Sequence, residues 1–341
     1  MKRKFPKIFT SFILISSLTL SLLMSGCQDN STSLTTMKLN EVVRSIFYAP
    51  LYVAINEGLF EKEGLKIDLS TGQGADKTMQ QVLSNASDIG LCGPEQIIYI
   101  YNQGRKNPPV IIGQLTQTDG SFLVGKESKD SFKWENLKNK KIIGGRPGGM
   151  PEMTFEYALK KHGLTPNKDV TITTNLDFTA TSSAFKTGDF DYVTLFEPTA
   201  SLLEKENSGH IVSPIGESIG SIPYTCFFAT PNFISSKPET VEKFLRAIHK
   251  GQEWVNSHSE SEIVNSVSSF FPGSDKNTLI SAVKNYKALN SYATKLTLKE
   301  DDLNRLMDII ESYDKKLLSK RPDFNKIVDN SIAEKVQKSS K

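Results

Sequence analysis

Residues 39–70 read LNEVVRSIFYAPLYVAINEGLFEKEGLKIDLS. The apolar and β-branched residues at its start predict a strand over 39–45. Pro50 then suits the first turn of a helix, where its fixed φ is already correct and its missing N–H is not needed. Leu51, Tyr52, Ala54, Ile55, Leu59 and Phe60 supply that helix with an apolar face. Gly64 can end it, and 66–70 reads as the next strand. Outward from there the alternation continues: a helix over 75–84, a buried strand over 88–92, a helix over 94–102 and a continuous apolar strand over 110–116. A βαβαβαβ succession favours a mostly parallel sheet with helices on both faces.

A second series starts after Gly120. Strands are expected over 121–124, 141–145, 170–174 and 191–196, with helices over 134–139, 150–162 and 180–187. The run TCFFAT at 225–230 reads as a strand returning to the first series, and beyond residue 238 the pattern is almost wholly helical. The expected architecture is α/β and two-lobed, each lobe a mixed, mostly parallel sheet flanked by helices. The first lobe takes 38–120 and 226–341, with the helical C-terminal part packed on it; the second takes 121–225. Ligands in such open sheets bind at the carboxyl ends of strands, and a cleft between two lobes suits a small molecule.

The N-terminus speaks of destination. Lys2, Arg3, Lys4 and Lys7 precede an apolar run over 8–24, which is short for a membrane span and ends in Leu23-Met24-Ser25-Gly26-Cys27. Small residues directly before a cysteine resemble a bacterial lipobox, with Met24 where Leu is commoner. Residues 1–26 are thus expected to be a lipoprotein signal peptide, Cys27 the lipidated residue, and 27–37 a flexible tether. The expected location is the extracytoplasmic face of the cell membrane, held by the lipid anchor alone.

The chain has 341 residues, 38% hydrophobic and 23% charged, and its 19 Phe, 10 Tyr and 2 Trp can fill substantial cores. Its formal charge of +3 arises in the leader: without those four basic residues, 37 basic groups face 38 acidic ones. A near-neutral body does not indicate nucleic acid as a partner.

Several segments carry a family likeness: Ala49-Pro50-Leu51-Tyr52-Val53-Ala54, Gly58-Leu59-Phe60-Glu61-Lys62-Glu63-Gly64-Leu65, Ser87-Asp88-Ile89-Gly90, Gly93-Pro94-Glu95-Gln96, and Asp191-Tyr192 with Phe196-Glu197-Pro198. Together they resemble the type II periplasmic solute-binding proteins of ABC importers, in the branch that binds nitrate, sulfonates, taurine or thiamine-precursor pyrimidines. The resemblance implies a non-catalytic monomer without cofactor. It would capture a small solute and deliver it to a permease with a cytoplasmic ATPase. Two alternatives stand beside this. One is an enzyme on the same fold, since some relatives make a thiamine pyrimidine, but those carry a cysteine-rich motif and active-site histidines that are not found here. The other is a surface sensor or adhesin.

Metal-site motifs are absent from the sequence: it contains no HExxH and no CxxC pair. Gly72-Gln73-Gly74-Ala75-Asp76-Lys77-Thr78 departs from phosphate-loop spacing and reads better as a glycine turn opening a helix. Its free N–H groups would suit an anionic or polar ligand group. His162 ends a helix, His210 sits in a polar loop, and His249 and His258 lie in or near one C-terminal helix. Cys92 and Cys226 fall in apolar strands as buried thiols, with a bond between them possible outside the cell.

The candidate ligand-binding residues sit at strand–helix junctions and at the crossings between lobes. Phe47 and Tyr48 offer either an aromatic wall or a staple for the helix at Pro50. Gln73 and Gly74 offer polar contacts, and Glu95 is either a ligand acceptor or a first-turn acid that favours the helix dipole. Gln114 and Thr116 lie near the first crossing. In the second lobe Arg146, Gly148, Gly149 and Met150 follow a strand. There Arg146 either clamps an anion bidentately or pairs with Glu152 or a neighbouring acid. Glu197 ends another strand facing the cleft, and Tyr224 adjoins the second crossing. Two acids beside one arginine disfavour a purely anionic ligand and suit a zwitterion or an N–H-rich heteroaromatic.

Overall fold

The strand that opens the body begins earlier than its apolar run suggests. In the computed structural model, which describes residues 34–128, 130, 132–177 and 179–339, β1 spans Thr35–Glu41 rather than 39–45. It pairs in parallel with β2 (Leu65–Thr71) along its whole length, Thr35 opposite Leu65 and Glu41 opposite Thr71. That ladder draws 35–37 out of the expected tether, and Met37 is buried. The expected signal peptide, Cys27 and the start of the expected tether lie outside the described residues.

The first sheet also contains β3 (Ile89–Cys92), β4 (Val110–Thr116) and the returning β10 (Thr225–Ala229), in the order β2-β1-β3-β10-β4. β10 is antiparallel to both neighbours, so the sheet is mixed but mostly parallel. Every residue of β3 and β10 is buried, as expected of strands covered on both faces. Gly90 of β3 is required by its neighbour: a Cβ there would stand 2.2 Å from the Phe228 ring.

The second sheet runs β7-β6-β8-β5-β9, built from β5 (Ser121–Gly125), β6 (Lys141–Ile143), β7 (Thr171–Thr173), β8 (Tyr192–Phe196) and β9 (His210–Pro214). Here β5 is the antiparallel strand. β9 was not expected, and His210 lies on it rather than in a loop. As an edge strand with only Val212 fully buried, it lacks the apolar run that identifies interior strands. From Thr35 onward the described chain forms one compact unit. Among the described residues, no helix is long and apolar enough to cross a membrane.

The C-terminal helices pack on elements of both sheet-forming series. The Pro238–Ser257 helix packs on Ala49–Asn56 and on the final helix, Ser331–Ser339. The segment after residue 290 lies along β4, with Gln114 N donating to Leu296 O at 2.8 Å and Ala293 N to Leu115 O at 3.0 Å. The Glu300–Tyr313 helix then packs against Met150–Lys161, the helix that follows β6. Leu303, Leu306, Met307, Ile309 and Ile310 form its buried face. Arg305 and Lys160 tie it down through the backbone carbonyls of Ser221 and Ser312. An amphipathic helix announces that it has a buried face but not which neighbour covers it.

Candidate functional site

The carboxyl ends of β1, β2 and β3 face those of β6, β7 and β8 across a cavity of about 250 Å³. Nine expected residues line it: Phe47, Tyr48, Gln73, Gly74, Glu95, Arg146, Gly149, Met150 and Tyr224. Ser45 accepts a hydrogen bond from Phe47 N at 3.2 Å and so caps the short 3-10 turn Ile46–Tyr48. That cap presents Phe47 to the interior, where it packs on Tyr286, Tyr224 and Phe196 with ring centroids 4.8, 5.7 and 5.9 Å away. Phe47 and Tyr48 are thus both cavity wall and core.

Glu95 opens the Glu95–Asn102 helix and is 1% exposed. Gln96 Nε2 donates to its Oε1 at 3.3 Å, whereas Oε2 is buried without a partner. Burial pushes its carboxyl up to about 7 against the pull of the Gln96 bond, of its own backbone N–H and of the Arg146 charge. Such an orphaned acceptor inside a cavity is costly unless a donor arrives. Gly93 makes room for it: a Cβ there would stand 2.0 Å from Glu95 Oε2.

At the mouth, Arg146 Nη1 donates to Asp76 Oδ1 at 2.8 Å, joining the loop after β6 to the helix after β2. Both side chains are about half exposed. Partial burial works to raise the Asp76 carboxyl, but the Arg146 bond and charge outweigh it and hold it below its usual value. Lys77 and Asp177 also reach the lining. A polar groove of about 420 Å³ lies beside the cavity and shares Lys77 with it. Asn40, which lines that groove, is already bonded to Ser70 and Thr78.

Residues 46–262 match the NMT1/THI5-like family. The chain belongs to that family. It is 42% identical over 95% of its length, and 96% of the other's, to the protein of Bacillus subtilis (strain 168) named "Putative binding protein YtlA". A more distant family likeness, 26% identical over 61% of this chain and 63% of the other, is to 4-amino-5-hydroxymethyl-2-methylpyrimidine phosphate synthase of Aspergillus parasiticus. The fold is that of the alkanesulfonate-binding protein SsuA of Xanthomonas axonopodis, solved with MOPS bound. The TM-score is 0.69 at 14% identity, over 87% of this chain and 99% of that one.

Four expected residues of this family member lie elsewhere. Glu197 is buried beside the cavity but turned from it. It accepts from Ser201 N at 2.9 Å, Ser201 Oγ at 2.8 Å and Asn285 Nδ2 at 2.6 Å. Phe196, the preceding strand residue, takes the place on the lining, because successive side chains point to opposite faces. Gln114 spends its side chain on Thr297 O at 3.2 Å and its carbonyl on Gln252. Thr116 is fully buried and its carbonyl accepts from Tyr224 N at 3.2 Å. Gly148, with φ +69°, is gripped from both sides: its carbonyl accepts from Tyr99 at 2.9 Å and its N–H donates to Tyr313 at 3.3 Å.

The partner of Arg146 is Asp76 rather than Glu152. Glu152 instead accepts from Gly145 N at 2.6 Å, and burial raises its carboxyl to about 8. Other lining residues were not anticipated, notably Ser45, Leu176, Asp177, Thr181 and Thr194. Only the alternation of β8 held a signal for Thr194 and Phe196. Cys92 and Cys226 face each other in register on β3 and β10, and both are free buried thiols.

Proposed function

We propose that this chain is the extracytoplasmic solute-binding component of an ABC importer, non-catalytic and monomeric, anchored by lipid at Cys27. It would hand its solute to a permease coupled to a cytoplasmic ATPase. Residues 38–120 with most of 226–341, and 121–225, act as the two lobes that close on the solute by hinge motion. The observation that carries this reading is the aromatic cavity where the carboxyl strand ends of both sheets converge. Family membership and the likeness to a binding protein over nearly the whole chain support it. His162, His210, His249 and His258 all lie outside the lining, so the active-site histidines of a pyrimidine synthase have no counterpart among the lining residues. The solute classes implied by the family resemblance are a sulfonate or taurine, nitrate, and a pyrimidine-like ring. The walls of Phe47, Tyr48 and Phe196 favour the flat one.

A thermal-shift screen with these classes, paired with native mass spectrometry of the protein equilibrated with a bacterial metabolite pool, tests the reading. A solute at a hundredfold excess over its Kd should stabilise the protein by about 3 kcal/mol. A folded sample that neither shifts nor retains any small molecule overturns the proposal.

A further inference from the structure

Glu95 is the one acid on the lining that is fully buried, and its Oε2 has no protein partner. The groups that face it are Arg146 from the loop after β6, Tyr48 from the turn after β1, Cys92 from β3, Tyr224 just before β10, Cys226 on β10, and Tyr99 from its own helix. Burial raises both thiols and all three phenols, leaving them neutral. The Tyr99 hydroxyl is committed to Gly148 O. Arg146 is the only cation among these groups, and it is bonded to Asp76. Among the described residues, the Arg146 charge acts on Glu95 without bonding to it, and Oε2 has no hydrogen-bond partner.

We propose that Glu95 is the specificity-determining group of the cavity, accepting an N–H from the solute through Oε2 and releasing its own proton as the solute binds. The inference rests on the reading of the cavity as a solute site. The Oε2–H bond breaks, the proton passes to solvent, and an N–H···Oε2 hydrogen bond takes its place while the solute keeps its covalent structure. A cationic or N–H-bearing ring end enters the floor. An oxyanion head is repelled from it and is confined to the rim, near Lys77 and Arg146. Because the solute bonds the ionised form, its affinity follows the ionised fraction of a carboxyl that titrates near 7 in the free protein.

Isothermal titration calorimetry of the purified protein tests this, with benzamidine as a flat donor that stays cationic over the range and methanesulfonate and nitrate as oxyanions. Benzamidine should bind up to about 90-fold more tightly at pH 8 than at pH 5, the ratio of the ionised fractions. Its heats in buffers of different ionisation enthalpy should report proton release. Glu95→Gln should flatten this pH profile while the melting temperature shows a folded protein. The wild-type profile alone is decisive if the variant does not fold. Benzamidine affinity that ignores pH, no benzamidine binding, or tighter binding of either oxyanion overturns the proposal. If a solute without N–H donors is retained from the metabolite pool, the receptor reading stands and the Glu95 assignment falls; if nothing is retained, both fall.

Discussion

Replacing Glu197 with Ala separates a ligand group from a structural one. Its carboxylate accepts three hydrogen bonds, from Ser201 N, Ser201 Oγ and Asn285 Nδ2, at 2.9, 2.8 and 2.6 Å, while the residue is 2% exposed. Its backbone also ties distant segments together, its N–H donating to Tyr286 at 3.0 Å and its carbonyl accepting from Ser45 at 3.3 Å. Truncation leaves the Ser201 and Asn285 donors unsatisfied in a buried place, at a cost of about 1–1.5 kcal/mol each. The total is about 3–5 kcal/mol. For a chain of this size each kcal/mol lowers the Tm by about 2 °C, so Glu197→Ala should melt about 6–10 °C below wild type. Calorimetry or circular dichroism reads that shift, and titration with any solute identified for the cavity reads affinity at a temperature where both proteins are folded. The affinity should stay within about twofold, because Glu197 is not on the lining. An unchanged Tm together with a more than tenfold loss of affinity would refute the structural assignment and return Glu197 to the binding site.

Three further outcomes are expected. Arg146→Gln or Asp76→Asn removes a half-exposed ion pair, so stability should change by under about 1 kcal/mol. Solute dissociation, followed by stopped flow, should quicken by up to about fivefold, and added salt should mimic the effect in wild type alone. Burial raises Glu41 to about 7 and Glu152 to about 8, well above the usual carboxylate value of 4.5. The stability contributed by their protonated forms is fully present below 4.5 and is lost as pH rises through 7 to 8. The Tm should therefore be higher at about pH 5.5 than at about pH 8.5, with a weaker dependence in Glu152→Gln. Finally, Gly93→Ala places a Cβ 2.0 Å from Glu95 Oε2 and should swing that side chain aside. Solute affinity should then fall at least tenfold while the Tm drops only a few degrees, because the displaced group is a movable side chain.

Element order was largely legible because it is written in local terms. The apolar runs of β3, β4, β5 and β8 are buried strands, and Pro50 and Pro94 stand at or just before helix starts as their fixed φ favours. What escaped were elements whose identity depends on position in the assembly. β9 is a strand because it completes the edge beside β5, and 35–37 are strand because β2 offers them a full ladder. The Glu300–Tyr313 helix crosses to the side of the second sheet because Met150–Lys161 packs against it.

The candidate site divides along the same line. The strand–helix junctions could be placed from turn chemistry and alternation, and nine residues chosen there line the cavity. Which charge meets which could not be read that way. Arg146 bonds to Asp76, 70 positions away, and Glu197 to Asn285, 88 positions away. Such pairings depend on how two sheets face each other, and a one-residue difference along a strand turns a side chain from cleft to core. By itself the sequence determined an α/β chain of two sheet-forming series with junctions able to hold a solute, since periodicity and turn residues act within a few positions. Only the tertiary structure decided that Glu197 is satisfied within the core while Glu95 keeps an unpaired oxygen in the cavity, because Asn285, 88 positions away, joins the nearby Ser201 donors on Glu197 and no such donor among the described residues reaches Glu95 Oε2.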